Sequence, residues 1–350
     1  VEAYEAALVL SGVGDALGYR GSRWEYCTSG PQIHAELAQL GGLGAIALEP
    51  PEWPVSDDPV LHLATAEGLN IFRSAQTLVI SPVLVGCTWV RNDDFEGSCP
   101  QNMSWRSVEW GGGGRKIFIV FCPIPVGKKK LVEIVVFLFC FVLFFSWKCL
   151  FFFPPLCFCL HVPLRYLGAL AVALFGALGA RGEPPEKWGA ELLRVLPQAW
   201  DYVESTGVAV GDNAAAWPFF RDAWRRYLES RGLLEGSGPP RLPALPSPAE
   251  RDAEYLGWAL GGWPGRSGHD APMVALEALL AAGGCWATLC HRGVLHGGDN
   301  DSTGTIAAGC WGLLGGLAAV PPGLHRGLEY RGRLSAAARR LHELATVAMA

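Results

Sequence analysis

Two acidic clusters at opposite ends of the chain constrain its folding more than any other feature. In His296-Gly297-Gly298-Asp299-Asn300-Asp301-Ser302-Thr303, two glycines allow a tight turn, and carboxylates then follow at i and i+2 with two hydroxyls behind them. The next stretch, Thr303 to Leu317, is rich in Ala, Gly, Leu and Trp and reads as a buried helix. Far upstream, Ser56-Asp57-Asp58-Pro59 opens a second helical stretch, Val60 to Gly68, on the same design. A single acid or serine at such a place is accounted for by capping, because first-turn N–H groups lack intrahelical partners. With Ser56 as the cap, Pro59 takes the third helical position, where its missing N–H is tolerated. Neighbouring carboxylates plus a hydroxyl exceed what a cap needs, and like charges repel. Hard divalent cations such as Mg²⁺ take several oxygens of this kind and usually keep some waters. The two clusters therefore point to one metal site built from distant parts of the chain, although spacing alone does not bring them together.

Half of the 350 residues are hydrophobic, enough for a sizeable core. The net charge is −5, and Lys128-Lys129-Lys130 is the only basic block, which argues against a nucleic-acid partner held through phosphates. Val1 to Gly18 carries acids and helical periodicity where a cleavable leader would have a basic start. The first residue is Val, as at the edge of a fragment. None of the eleven cysteines forms a CxxC pair, and Cys157 and Cys159 have only His161 nearby, which is not a zinc spacing. A reduced, cytoplasmic, monomeric protein is the simplest expectation.

The apolar periods predict helices over 1–18, 32–40, 166–180, 186–204, 217–231, 272–283 and 286–295, with a mostly helical tail over 322–349. No strict alternation appears outside the middle of the chain, so the expected fold class is all-α, a compact orthogonal helical bundle with an anomalous hydrophobic middle segment. The aromatic stripe Trp217, Phe219, Phe220, Trp224, Tyr227 sits at helical spacing and reads as core. Residues 236–248 carry five prolines and read as a surface loop or linker. Gly261 to Asp270 is a glycine-rich loop before a helix, whose backbone N–H groups suit phosphate or ribose oxygens; a long flexible loop is the plainer alternative. Asp15, in the first helix, reads by default as a surface acid near a helix end. Glu25, in the following loop, reads by default as an exposed acid.

The middle departs from all this. Leu131 to Trp147 is 17 residues with one charge, Glu133, and on length alone reads as a membrane span. However, nine of the 16 phenylalanines fall between 137 and 158. Phe codons are pure pyrimidine, and Leu, Pro and Ser codons can be. Such a tract is what a translated polypyrimidine stretch upstream of a splice acceptor would give, so a membrane role for 131–160 is not expected. Residues 71–165 are accordingly read as a non-family insert, possible translated intron, between two parts of one domain, 1–70 and 166–350. Sequencing the transcript across codons 65–170 is expected to find a major message lacking this stretch; a dominant mature message that retains it refutes the idea. The run Gly111 to Gly114 has no strand–turn–helix context and reads as a loop, not a phosphate cradle.

Several motifs, in order, resemble the ADP-ribosylglycohydrolase family, and most closely its ADP-ribosylarginine hydrolases. They are Gly14-Asp15-Ala16-Leu17-Gly18-Tyr19, Trp24-Glu25, Gly41-Gly42-Leu43, Ser56-Asp57-Asp58, His62 to Glu67, Tyr166 to Leu170, Gly268 to Met273 and the acidic stretch itself. The resemblance implies two Mg²⁺ ions held by Ser56, Asp57, Asp58, Asp299, Asp301 and Ser302. It implies catalytic roles for Asp57, Asp58 and Glu25, and substrate contacts from Gly265, Ser267, Gly268, His269 and Asp270, of which His269 and Asp270 hold the loop in shape. It implies a supporting place near the site for Asp15, and the implied partners are ADP-ribose and an arginine-linked ADP-ribosylated protein. Three departures stand out. Pro59 stands where family members usually carry Thr, so that hydroxyl is lost, Arg266 stands where catalytic relatives usually have a small residue, and the family's Met-Arg loop and His-Pro-Thr-Gly turn are missing, so activity could be impaired. The rival is a non-catalytic relative serving as a structural or interaction protein. Asp58, Asp299 and Asp301, all present here, favour the enzyme.

Overall fold

The structure, a computed structural model, describes residues 1–72, 86–89, 104–110, 115–121, 158–207, 210–243 and 247–349. The four-glycine run 111–114, the lysines 128–130, the apolar stretch 131–147 and Cys99, Cys122, Cys140, Cys149 and Cys157 lie outside the described residues. Most of the proposed insert 71–165 lies outside them as well.

The domain is all-α. Its helices are α1 (Glu2–Tyr19), α2 (Gly30–Gln39), α3 (Asp57–Phe72), α4 (Phe158–Ala180), α5 (Trp188–Thr206), α6 (Val210–Arg231), α7 (Pro248–Trp258), α8 (Ala271–Ala282), α9 (Trp286–Gly293), α10 (Asn300–Gly315), α11 (Gly323–Arg326) and α12 (Arg331–Met349). Three strands occur between α3 and α4: β1 (Gly86–Trp89), β2 (Ser104–Trp110) and β3 (Arg115–Phe121). They pair antiparallel in the order β1-β3-β2, with β2 and β3 in register from Ser104↔Phe121 to Trp110↔Arg115. They fall in the stretch that carries none of the helical domain's motifs. No described helix is long and apolar enough to cross a membrane. Cys27, Cys285, Cys290 and Cys310 are free thiols.

The organising contact is α1 against α10. Both helices are lined with small residues, and they run antiparallel with their backbones touching. A Cβ on Gly304 would lie 2.5 Å from the carbonyl oxygen of Gly14, and one on Gly312 would lie 2.5 Å from the carbonyl carbon of Ala6. A Cβ on Gly14 or Gly18 would overlap the backbone of Gly304 or Asn300. Around this pair, α8 and α9 pack on one side, α12 and α3 on the other, and α4 crosses α10. Phe220, Trp224 and Tyr227 of the predicted stripe are buried, with Trp224 meeting Phe175 of α4 edge-on at 5.9 Å.

Several predicted bounds are corrected. Helix α4 starts at Phe158, not Tyr166, because Leu164 is buried and its carbonyl abuts Gly268. Helix α6 starts at Val210, not Trp217. Pro218 lies inside it, and Asn213 and Ala216 upstream of the proline are already buried. Helix α3 continues past Gly68 to Phe72, α5 is shifted to 188–206 behind a 3₁₀ turn at Pro185–Lys187, and the tail is divided into α11 and α12.

Helix α7 is absent from the predicted elements altogether. Its start is a capping box: the Ser247 hydroxyl accepts from Glu250 N, the Glu250 side chain accepts from Ser247 N, and Pro248 fills the first helical position.

Candidate metal centre

The backbone contact between α1 and α10 sets Asp15 beside Asp301. Asp15 follows Gly14 on α1, and Asp301 lies one turn before Gly304 on α10, in its first turn. Acids there suit the partial positive charge of the helix N-terminus. Asp299 is the N-cap residue of α10, yet its side chain makes no capping hydrogen bond. Its carboxylate is thus not accounted for by the cap.

The upstream cluster reaches the same place. Ser56 caps α3, its Oγ accepting from Asp58 N at 3.1 Å. Both oxygens of Asp15 hold Ser56: Oδ2 accepts from Ser56 N at 2.8 Å and Oδ1 from Ser56 Oγ at 2.5 Å. Ser302 Oγ then donates to Asp58 Oδ2 at 3.2 Å, joining the two ends of the polypeptide. Asp15 is therefore buried support, not a surface acid.

The carboxylates form two groups that share one member. One oxygen each from Asp15, Asp58 and Asp301 lie within 4.8 Å of one another, and so do one each from Glu25, Asp299 and Asp301. All five residues are buried, and Asp301 is fully so. Glu25 is accordingly drawn into the cluster and is not the exposed loop acid that its position suggests by default. Two like charges about 4 Å apart repel by roughly 4 kcal/mol at an effective dielectric near 20. A capping hydrogen bond returns about 1 kcal/mol, so capping cannot account for five acids gathered this way. The donor set is carboxylate and hydroxyl oxygen, with no thiolate or imidazole in either group. That chemistry fits a hard divalent cation better than zinc. Asp57 is half-buried and belongs to neither group.

The loop into α10 is held by residues that sequence reasoning missed. From α7, Arg251 donates to the carbonyl of His291 and, at 2.9 Å, to that of Leu295. The neighbouring Asp252 accepts from Gly297 N at 3.1 Å and Gly30 N at 2.5 Å. Within the loop, Asn300 accepts from His296 N at 3.0 Å and donates to the carbonyl of Trp24 at 2.9 Å, so the loop and the Glu25 segment are tied together. His296 Nε2 pairs with Thr303 Oγ1 at 2.8 Å. Burial, with Arg251 nearby, pushes the His296 ring down to about 3, so it stays neutral and adds no cation to the cluster.

The glycine loop packs directly on the acidic stretch. Pro264 O accepts from Asp299 N at 2.8 Å. Gly265 has a φ of +80°, and a Cβ there would strike Thr303 Cγ2 at 2.5 Å, so both conformation and space require glycine. Asp270 fixes the turn: its two oxygens accept from Gly265 N and Ser267 N, each at 2.9 Å. Its burial raises the carboxyl pKa, against those two bonds. His269 Nε2 meets the carbonyl of Trp258 at 2.9 Å, and its ring packs edge-on against Phe219. Both residues therefore shape the loop. The Cα side of Gly268 is filled by the Leu164 carbonyl.

The ADP-ribosylglycohydrolase family model matches residues 161–349, which include the glycine loop and the downstream acids. The chain is 29% identical to ADP-ribosylhydrolase ARH1 of Dictyostelium discoideum over an alignment of 395 residues, covering 97% of this chain and 93% of that protein. It is 25% identical over 353 residues to L444 of Acanthamoeba polyphaga mimivirus, provisionally named an ADP-ribosyl glycohydrolase, covering 87% of this chain and 62% of that one.

Proposed function

This chain belongs to the ADP-ribosylglycohydrolase family, and on that premise we propose that it hydrolyses the N-glycosidic bond between ADP-ribose and a protein arginine, with two Mg²⁺ ions as cofactors. The observation that carries this reading is the meeting of Asp58 with Asp301 in one carboxylate group, bridged by Ser302.

Asp15, Asp58 and Asp301 with Ser56 and Ser302 would hold one ion, and Glu25, Asp299 and Asp301 the other; Asp57 stands at the edge of the first set. Bound there, the ions would polarise ribose hydroxyls and orient the sugar. The chain's own residues supply the rest. Asp57 is half-buried while Asp58 is tied to Ser302, so Asp57 is the better placed of the two to take a proton from an attacking water. General-base help of this kind is worth about 10²–10⁴-fold. Glu25, next to Asp299, would gate the cleft or take part in acid/base work. The loop Gly265–Asp270, pinned by Asp270, would hold the nucleotide through its N–H groups.

The test is release of ADP-ribose from ADP-ribosylated arginine. The protein is expected to release it with Mg²⁺, to stop after chelation and to resume on re-addition. The Asp299→Asn, Asp301→Asn double variant should stay inactive throughout. Metal-independent release, or release by the double variant at the rate of the parent chain, would sink the proposal. A folded chain that binds Mg²⁺ but releases nothing would point to the non-catalytic alternative, in which the carboxylates are retained for structure.

A further inference from the structure

We propose that Arg266 occupies, within its own chain, the slot over Trp263 in which the guanidinium of the substrate's arginine is received, and so sets the affinity for that acceptor. This rests on the hydrolase reading and adds a residue that acts on acceptor binding, not on the metal.

The site is a bracket between two loops. Tyr26, adjacent to Glu25, meets the Trp263 ring edge-on at 5.5 Å and is 58% exposed. On the other side of the bracket, the Arg266 guanidinium lies 5.0 Å from the centre of the Trp263 ring. Trp263 and Arg266 flank Pro264 and Gly265, the two residues whose backbone lies on Gly298, Asp299 and Thr303. The bracket is therefore built on backbone that packs against the loop carrying Asp299 and on the residue next to Glu25.

Three features point to a guanidinium as the occupant. An indole face is the best aromatic partner for a flat cation. The guanidinium already seated there shows that the slot accepts this group. The carboxylate-bearing loop against which Pro264 and Gly265 pack favours a cation over an anion. The backbone on either side of Arg266 is pinned, since Asp270 holds Gly265 N and Ser267 N at 2.9 Å. Vacating the slot thus moves the half-buried Arg266 side chain and leaves the pinned loop backbone in place. A substrate guanidinium must displace it, and the displaced contact weakens binding by about three- to tenfold, the range for a partly exposed cation–π pair.

Agmatine, a small guanidinium with no ADP-ribose, is the probe, titrated by calorimetry into the Mg²⁺-loaded chain. Arg266→Ala and Arg266→Gln are each expected to bind it roughly three- to tenfold more tightly than the parent. Adding Trp263→Ala to either variant should remove the gain. For ADP-ribosylated arginine, both variants should lower KM by a similar factor. Equal agmatine affinity in parent and variants overturns the proposal. So does a loss of ADP-ribose affinity without any gain for agmatine, which would mean that Arg266 serves the diphosphate. Because the agmatine readout needs no turnover, failure of the hydrolase assay leaves this outcome separately measurable.

Discussion

Replacing Asp301 by asparagine is expected to lower kcat/KM for ADP-ribose release by about 10³-fold while making the metal-free protein more stable. Asp301 is the residue common to both carboxylate groups. Asparagine keeps its shape and removes its charge, so both ion positions lose a ligand at once. Metal stabilisation of developing charge is worth several kcal/mol, and each 1.36 kcal/mol is a factor of ten. On stability the effects oppose one another. The first turn of α10 favours an acid by about 0.3–1 kcal/mol. Repulsion from Asp15, Glu25, Asp58 and Asp299, all buried, acts the other way and is larger, at roughly 4 kcal/mol for a close pair. Even after relaxation and partial neutralisation, relief of about 1 kcal/mol should remain, a rise in Tm of roughly 2–4 °C.

Metal titration separates this from a generic stabilisation. Mg²⁺ at a hundredfold excess over its Kd should stabilise the parent chain by about 2.7 kcal/mol. Asp301→Asn should show little of that gain, starting higher and ending lower. Thermal unfolding with and without Mg²⁺ reads both. A metal-free variant that melts below the parent would mean that the five acids are already neutralised within the protein, and the case for a cation would lose its physical basis.

Much of the centre was legible because its parts lie at helix starts. Ser56, Asp58, Asp299, Asp301 and Ser302 stand where cap chemistry makes a surplus of oxygen conspicuous, and the fold brings them together. What held them was harder to read. Asp15 was read as support only through the family resemblance, since nothing local says that both its oxygens will close on Ser56. Arg251 and Asp252 were invisible because their helix was hidden behind a run of prolines that reads as linker. Pro248 is compatible with a helix at its first position, and Ser247 with Glu250 three residues on was the available signal. The start of α6 was placed at Trp217, with the first residue of the aromatic stripe, but burial of Asn213 and Ala216 carries the helix back through Pro218 to Val210. The buried pair Arg231–Glu277, at 2.8 Å, joins helices far apart in sequence, and no periodicity announces such a pair.

The largest structural effect is expected at Gly304, where the smallest possible side chain should be enough to damage both fold and site. In Gly304→Ala the new Cβ would lie 2.5 Å from the carbonyl oxygen of Gly14. The obstruction is backbone, so no rotamer relieves it, and α1 must move away from α10. Overpacking a core costs about 1–3 kcal/mol, and more where the clash is with main chain; we expect a loss at the upper end of that range or beyond, and Gly304→Val should not fold. Gly14→Ala meets Gly304 from the other side and should behave alike. The functional loss should exceed the loss of folded protein. Separating the helices moves Asp15 and Ser56 away from Asp301, and a displacement near 1 Å can cost about 10²-fold. Gly257→Ala is the control: it lies within α7 with nothing inside 4 Å of the added carbon. There the unfolded chain loses freedom and the helix gains propensity, so stability should hold or rise by up to about 1 kcal/mol. Denaturant unfolding of the three alanine variants, with Mg²⁺ affinity measured on the folded fraction, decides the matter. If Gly304→Ala unfolds with Gly257→Ala and binds Mg²⁺ as the parent does, then direct contact between the two backbones is not what sets the spacing of the acids.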